Sequence, residues 1–75
     1  MKSLLETLAK ELVDEPRRVT VYEDVEDGVT YLSLCVADAD RGRVIGKNGR
    51  TADALRALIS AVAERRGLKC EVDVE

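Results

Sequence analysis

The 75-residue sequence contains no histidine, no tryptophan and no phenylalanine, and it has only two cysteines. Without histidine, acid–base catalysis by an imidazole is excluded. Cys35 and Cys70 are too few and too far apart for a disulfide framework, and they lack the spacing of metal ligands. We therefore expect no metal site, and we expect both cysteines to be small buried apolar residues in a reducing compartment.

Long apolar runs are missing as well. The N-terminal stretch MKSLLETLAKELVDEP carries acidic residues inside its apolar pattern, whereas a signal peptide has an uninterrupted apolar stretch. Nothing approaches the ~20 apolar residues of a membrane-spanning helix. The composition, 45% hydrophobic and 36% charged, is typical of a small folded domain rather than a disordered chain. We expect one cytoplasmic domain, residues 1–75, with no membrane association.

The charges are unevenly distributed. The net charge is −3, yet residues 41–56, named here the basic segment, hold five arginines and lysines against one aspartate. The rest of the chain has seven basic and fourteen acidic residues. An acidic remainder repels polyanions, so a polyanion is expected to bind only at the basic segment.

The first half of the chain has the pattern of one helix and two strands. Leucines at helical spacing predict an N-terminal helix, with Ser3 as N-cap, Glu6 completing a capping box, and Pro16 ending the helix. Alternating apolar residues then predict antiparallel strands over roughly 18–24 and 29–37. The intervening Glu-Asp-Gly contains the Asp-Gly pair that favours a hairpin turn.

The second half predicts two helices and a third strand. A short helix over about 39–45 precedes a longer one over about 50–66, for which Gly67 is a natural C-cap. The apolar face of the long helix is expected to be Leu55, Leu58, Ile59 and Val62. The final strand alternates, with Leu68, Cys70, Val72 and Val74 facing inward. The predicted order is α-β-β-α-α-β, a two-layer α+β sandwich in which three helices cover a three-stranded mixed sheet.

Two glycines bracket the corner between the two later helices, in RVIGKNGRTADAL. One glycine would suffice for a helix–helix turn, and Gly49 could serve only to let the backbone pack closely on another element. The functional interpretation is that the absent side chains let a phosphodiester backbone approach unpaired N–H groups at a helix N-terminus. Lys47 and Arg50 add positive charge. Of Val44 and Ile45, one is expected to pack in the core and anchor the short helix. The other is expected to form the floor of a groove that holds unstacked bases.

The stretch VIGKNGR resembles the V-I-G-x-x-G core of the KH domain, whose GxxG loop clamps single-stranded nucleic acid. The α-β-β-α-α-β order is that of the type II KH fold. The whole chain resembles the small stand-alone bacterial KH proteins, the KhpA-like family, in its first helix, its acid-rich hairpin turn and its continuation GKNGRTADALR, residues 46–56.

The resemblance implies a binder of single-stranded RNA with low sequence specificity, acting as an RNA chaperone or post-transcriptional regulator. It implies a homodimer, or a heterodimer with a larger bacterial KH protein, and no cofactor or small-molecule substrate. Carried over residue by residue, it assigns the clamp and its groove to nine positions: Gly42, Arg43, Ile45, Gly46, Lys47, Asn48, Gly49, Arg50 and Thr51. Because the only aromatic residues, Tyr22 and Tyr31, lie in the hairpin, base stacking is expected to contribute little, and one site should bind weakly.

Other functions fit less well. A DNA-binding helix-turn-helix needs base-reading polar residues along its second helix, which here becomes ALISAVA. A Walker A loop needs different glycine spacing and a Ser or Thr after its lysine. The carboxylates fall in the hairpin turn and on solvent-facing strand positions. None is expected in the apolar surroundings that shift the pKa of a catalytic carboxylate. A dimerisation module stays open, because Ala54, Ala57 and Ala61 could permit close helix packing, although some of them could instead face the sheet.

Overall fold

The N-terminal helix, α1 (Lys2–Leu12), begins earlier than predicted. In this computed structural model, which describes residues 1–75, Met1 is the N-cap residue and no side chain caps the helix. The predicted capping box at Ser3 and Glu6 is therefore wrong. Met1 packs against the core, and its carbonyl accepts a hydrogen bond from the N–H of Leu5 at 3.1 Å. That bond places Ser3 inside the first turn.

Helix α1 ends at Leu12, and Pro16 is not what ends it. Val13 is already extended, and Pro16 starts a separate 3₁₀ turn, Pro16–Arg18. The N–H groups of Asp14 and Glu15 donate instead to the two carboxylate oxygens of Asp40, each at 3.1 Å. A contact 25 residues away in sequence from Glu15 thus sets the path of the chain after α1.

The hairpin forms as predicted, with shifted ends. Strand β1 (Thr20–Glu26) pairs antiparallel with β2 (Val29–Cys35), from Thr20 opposite Cys35 to Glu26 opposite Val29. Asp27 and Gly28, both at positive φ, form the two-residue turn. Because this turn is so tight, pairing continues to Glu26, two residues beyond the predicted end of the strand.

The second half follows the prediction closely. Helices α2 (Asp38–Ile45) and α3 (Arg50–Arg65) lead to strand β3 (Lys69–Val74), which pairs parallel with β2, so the sheet order is β1-β2-β3. At the end of α3, the N–H of Gly67 donates to the carbonyl of Glu64 and that of Leu68 to the carbonyl of Ala63. This is the Schellman arrangement of a glycine-terminated helix. The chain is thus the predicted α+β sandwich.

The core lies between one face of the sheet and the three helices. Its buried apolar residues are Leu5, Ala9, Val19, Val21, Leu32, Leu34, Ala37, Val44, Ala52, Leu55, Ile59, Ala63 and Val72. Five residues predicted to face the core are not among them. Leu58 is 45% exposed and Leu68 is 48% exposed, whereas Val62, Cys70 and Val74 are partly buried. Helix α3 buries a stripe at residues 52, 55, 59 and 63, and Leu58 lies beside that stripe.

Both cysteines are free and half-buried, on opposite faces of the sheet. Cys70 lies on the helix-covered face, and its burial raises the pKa of its thiol. The thiol is therefore protonated at neutral pH and is a weak nucleophile. No helix in the structure has the length and apolar character needed to cross a bilayer.

Candidate nucleic-acid interface

Three of the four residues in the corner between α2 and α3, residues 46–49, have positive φ angles. Gly46 has φ 77° and ψ 174°, a combination that is essentially restricted to glycine. Residues 47–49 then form a 3₁₀ turn in which Asn48 and Gly49 both have positive φ, 58° and 75°. Asparagine tolerates this left-handed region better than most residues. Helix α3 starts directly afterwards at Arg50.

Gly46 is the position where the backbone comes close to another element. A Cβ atom built on Gly46 would lie 2.8 Å from the Cβ and 2.9 Å from the backbone nitrogen of Thr51, and closer still to the Thr51 hydroxyl. The missing side chain at residue 46 therefore lets α2 join the first turn of α3. The alternative considered for Gly49, close packing on another element, is wrong, because a Cβ there would meet nothing within 4 Å.

The space beside Gly49 coincides with unpaired backbone donors. The N–H groups of Lys47 and Asn48 donate to no group of the chain, while the N–H of Gly49 is occupied by the carbonyl of Gly46 at 3.2 Å. The side chains of Lys47 and Asn48 are exposed. Free N–H groups, an open glycine and a lysine together form a corner that can donate hydrogen bonds to an anion.

The apolar pair before the loop divides its roles. Val44 is fully buried in the core and anchors α2, whereas Ile45 is only half-buried. Thr51, also half-buried, lies on the α3 side of the loop next to Gly46. Ile45 thus places partly exposed apolar surface on the α2 side of the loop, and Thr51 places a partly exposed side chain on the α3 side. Such surface is suited to contact with unstacked bases or sugars.

Three of the five cations in the basic segment have acidic partners within the chain. Arg41 lies 3.8 Å from Asp38. Arg43 donates to the Asp14 carboxylate at 3.1 Å. Arg56 donates both to Asp53 and to the main-chain carbonyl of Val72, each at 3.1 Å. The remaining two, Lys47 and Arg50, form no ion pair and flank the glycine corner.

The Arg43 contact depends on two acids that the sequence analysis did not single out. Asp40 is 2% exposed, and its carboxylate holds the N–H groups of Asp14 and Glu15. It thereby positions the Asp14 carboxylate beside Arg43. The sequence shows acids at positions 38 and 40 of α2, but nothing in the local pattern says which of them turns inward.

The structure thus brings the nine predicted site residues together, because they are nearly consecutive around one corner. Gly42, Arg43 and Ile45 lie on α2, residues 46–49 form the loop, and Arg50 and Thr51 begin α3. Arg43 alone is drawn away from the corner by an acidic partner. No cluster of three metal-ligating side chains occurs in the structure.

The sequence of the whole chain is similar to those of known proteins. A family model described as "KhpA/KhpB, KH domain" matches residues 2–74. The chain is 46% identical over 74 residues to the RNA-binding protein KhpA of Clostridium acetobutylicum, covering 99% of each chain. It is 48% identical over 62 residues to the RNA-binding protein KhpA of Treponema pallidum, covering 83% of this chain and 78% of the relative. The similarity therefore extends well beyond the loop.

Proposed function

Since the chain belongs to the KhpA/KhpB family of KH domains, we propose that it binds single-stranded RNA at the corner formed by residues 46–49. The observation that carries this proposal is the coincidence of free backbone N–H groups with unpaired cations at that corner. Related proteins named RNA-binding protein KhpA support RNA as the ligand. The chain would act as one KH domain, residues 1–75, without catalysis.

The proposed mechanism is a phosphate clamp. The N–H groups of Lys47 and Asn48 donate to phosphate oxygens, the open side of Gly49 admits the sugar–phosphate backbone, and the side chains of Lys47 and Arg50 neutralise it. Gly42, Ile45 and Thr51 line the groove on either side. Arg43 joins only when phosphate displaces Asp14.

This clamp reads the backbone rather than the bases. No aromatic side chain lies at the corner, so the stacking contribution of ~1–3 kcal/mol per base seen in other single-strand binders is absent. We therefore propose weak binding of low sequence specificity at a single site, suited to an RNA chaperone or post-transcriptional regulator in the cytoplasm.

The test is a titration of labelled single-stranded RNA at several salt concentrations, with Lys47→Asp/Asn48→Asp beside the unmodified chain. We expect the unmodified chain to bind weakly and salt-dependently, and the double variant to lose at least about tenfold in affinity. Circular dichroism and thermal melting should be unchanged, because both side chains are exposed and unpaired.

A matched control is Lys2→Asp/Ser3→Asp, which changes the charge by the same amount. These residues lie at the start of α1, next to Met1. The Met1 sulfur accepts a hydrogen bond from Arg66, which lies at the C-terminal end of α3, whereas the loop lies at its N-terminal end. A helix of 16 residues separates the two sites by about 24 Å. If the control loses as much affinity as the loop variant, or if the unmodified chain does not bind RNA, the clamp is refuted.

We also propose that two copies associate through the exposed side of α3, or that a larger KH protein takes the place of one copy. Ala54, Ala57 and Ala61 all point away from the sheet, contrary to the alternative that some of them face it. Beside them the exposed Leu58 borders an apolar groove of about 270 Å³ between α1 and α3. Two linked clamps would raise avidity for a long RNA without new contacts.

A further inference from the structure

The face of the sheet opposite the helices is uncovered, and both aromatic residues of the chain lie on it. Tyr22 is 62% exposed and Tyr31 is 43% exposed. The strand register makes them diagonal neighbours, because Tyr22 stands opposite Ser33 and Tyr31 lies two residues before Ser33 on β2. Diagonal side chains are about 7–8 Å apart, within reach of aromatic rings. We call this surface the tyrosine face.

The same face carries carboxylates that have no partner in the chain. Asp24 on β1 and Glu71 on β3 stand directly opposite Tyr31, one on each side. In the neighbouring row, Asp73 stands opposite Ser33. None of these three acids, nor Glu26 at the end of β1, forms a salt bridge. Among the strand residues on this face, Lys69 is the only cation.

A cleft of about 350 Å³ lies where aromatic and acidic side chains meet. Its lining includes Tyr31, Ser33, Glu71 and Asp73. A tyrosine ring with carboxylates beside it matches a guanidinium group, which stacks on the ring and donates in-plane hydrogen bonds to the carboxylates. RNA and anionic lipid are repelled by the same acids.

We propose that the tyrosine face docks an arginine-rich segment of a partner protein. The surface has the tyrosine content and the charge complementarity of a protein interface. It lies on the opposite side of the sheet from the helices that form the RNA-binding corner. A partner bound there leaves the corner free, so the proposal stands independently of RNA binding.

The chain offers a built-in reporter for the test. With no tryptophan present and both tyrosines on this face, intrinsic tyrosine fluorescence reports on this surface alone. The probe is a labelled, capped peptide of repeated Arg-Gly-Ser, whose affinity is followed by anisotropy. We expect saturable binding with a change in tyrosine emission, and binding weaker by about two- to fivefold when lysine replaces arginine in the peptide.

Three variants locate the contact. Glu71→Gln/Asp73→Asn should weaken peptide binding by roughly three- to tenfold. Tyr31→Ser, which keeps the charge, should weaken it by about two- to fivefold. Glu11→Gln/Glu15→Gln removes two exposed, unpaired acids on the helix side and should change it less than about twofold. All variants should keep the unmodified circular dichroism spectrum.

Several outcomes would overturn the proposal. Equal loss in the helix-side control would mean that the peptide senses only net charge. Peptide binding without any change in tyrosine emission would place the contact elsewhere. A change in emission on adding single-stranded RNA, or on raising the protein concentration without peptide, would assign the face to RNA or to a second copy.

Discussion

At the residue scale, the two loop glycines have different functions although they are only three positions apart. Gly46 is required twice, by its backbone conformation and by its contact with Thr51. Gly49 is required by conformation alone, because the space where its side chain would be is open. In the proposed clamp, that open space is where the nucleic acid lies.

This difference predicts opposite profiles for two alanine variants. Gly46→Ala should lower the free energy of unfolding by about 2–4 kcal/mol, since backbone strain and the Thr51 clash add together. Gly49→Ala should lower it by only about 1–2 kcal/mol, yet weaken RNA binding while the protein stays folded. Urea unfolding and an RNA titration measure the two quantities. Equal destabilisation by both substitutions would contradict the assignment.

Arg43 shows that a charge read from sequence is not necessarily available. The residue was predicted to line the groove, but its guanidinium lies on the Asp14 carboxylate, with more than half of both side chains exposed. An exposed pair of this kind contributes about 0.2–1 kcal/mol. Phosphate could therefore displace Asp14 at modest cost, so we regard Arg43 as a conditional contact and Lys47 and Arg50 as the primary cations.

At the scale of elements, one buried carboxylate joins α2 to the segment between α1 and β1. Asp40 accepts two backbone hydrogen bonds from residues that no longer belong to α1. The helix that carries three of the nine candidate site residues is thereby held to the N-terminal part of the chain. A hydrogen bond to a charged group contributes about 1.5–3 kcal/mol net, and two bonds to one carboxylate are not fully additive.

Asp40→Ala should therefore lower the free energy of unfolding by about 2–4 kcal/mol, a large share of the total for a domain of this size. The matched control is Asp38→Ala in the same helical turn, where the side chain is 98% exposed and makes only a long ion pair with Arg41. Its cost should stay below about 1 kcal/mol. Chemical unfolding followed by circular dichroism compares the two, and similar costs would mean that Asp40 is not the anchor.

At the scale of the whole molecule, charge and apolar surface are divided among three separate surfaces. The glycine corner presents the two unpaired cations of the basic segment, the outer side of α3 presents alanines and Leu58, and the tyrosine face presents unpaired acids. The net charge of −3 therefore does not describe the local surfaces, because the glycine corner is suited to polyanions and the tyrosine face to cations. If the proposed interfaces are correct, we expect a single chain to contact RNA and two protein partners at once.

The proposed dimer is tested by introducing a charge at its centre. Leu58→Lys should weaken self-association by at least about tenfold, because an apolar side chain that would be buried becomes charged. Leu68→Lys is the control, since that leucine is exposed to nearly the same extent but lies beyond the end of α3. Sedimentation equilibrium over a range of concentrations measures both. A monomeric unmodified chain, or equal weakening by both substitutions, would rule out this interface.

Much of the fold could be predicted because its signals are local. Helix α3 was placed to within one residue, since the Gly49–Arg50 step and Gly67 mark its ends by backbone conformation. The Asp-Gly turn located the hairpin, and the alternating residues of β3 identified a strand with one wet face. The prediction of a KH domain related to KhpA was confirmed by the family match over residues 2–74.

The errors arose where distant contacts override local preference. Ser3 has the chemistry of an N-cap, but burial of Met1 extends the helix past it. Pro16 would stop a helix, but the chain leaves α1 earlier, because the N–H groups of Asp14 and Glu15 donate to the Asp40 carboxylate. Leu58 and Leu68 have core chemistry, but the rotation of α3 and the start of β3 leave them exposed.

The sequence alone therefore specified the order of elements, the mixed sheet and the position of the glycine corner. The signals for them, which are the spacing of apolar residues, the turn residues and the glycine positions, act over a few residues. Which cations stay free, which glycine faces open space, and which acid turns inward depended on how the finished elements pack. Those properties belong to pairs such as Arg43 and Asp14, which are 29 residues apart. Only the folded chain brings such pairs within the few ångströms over which hydrogen bonds and steric contacts act.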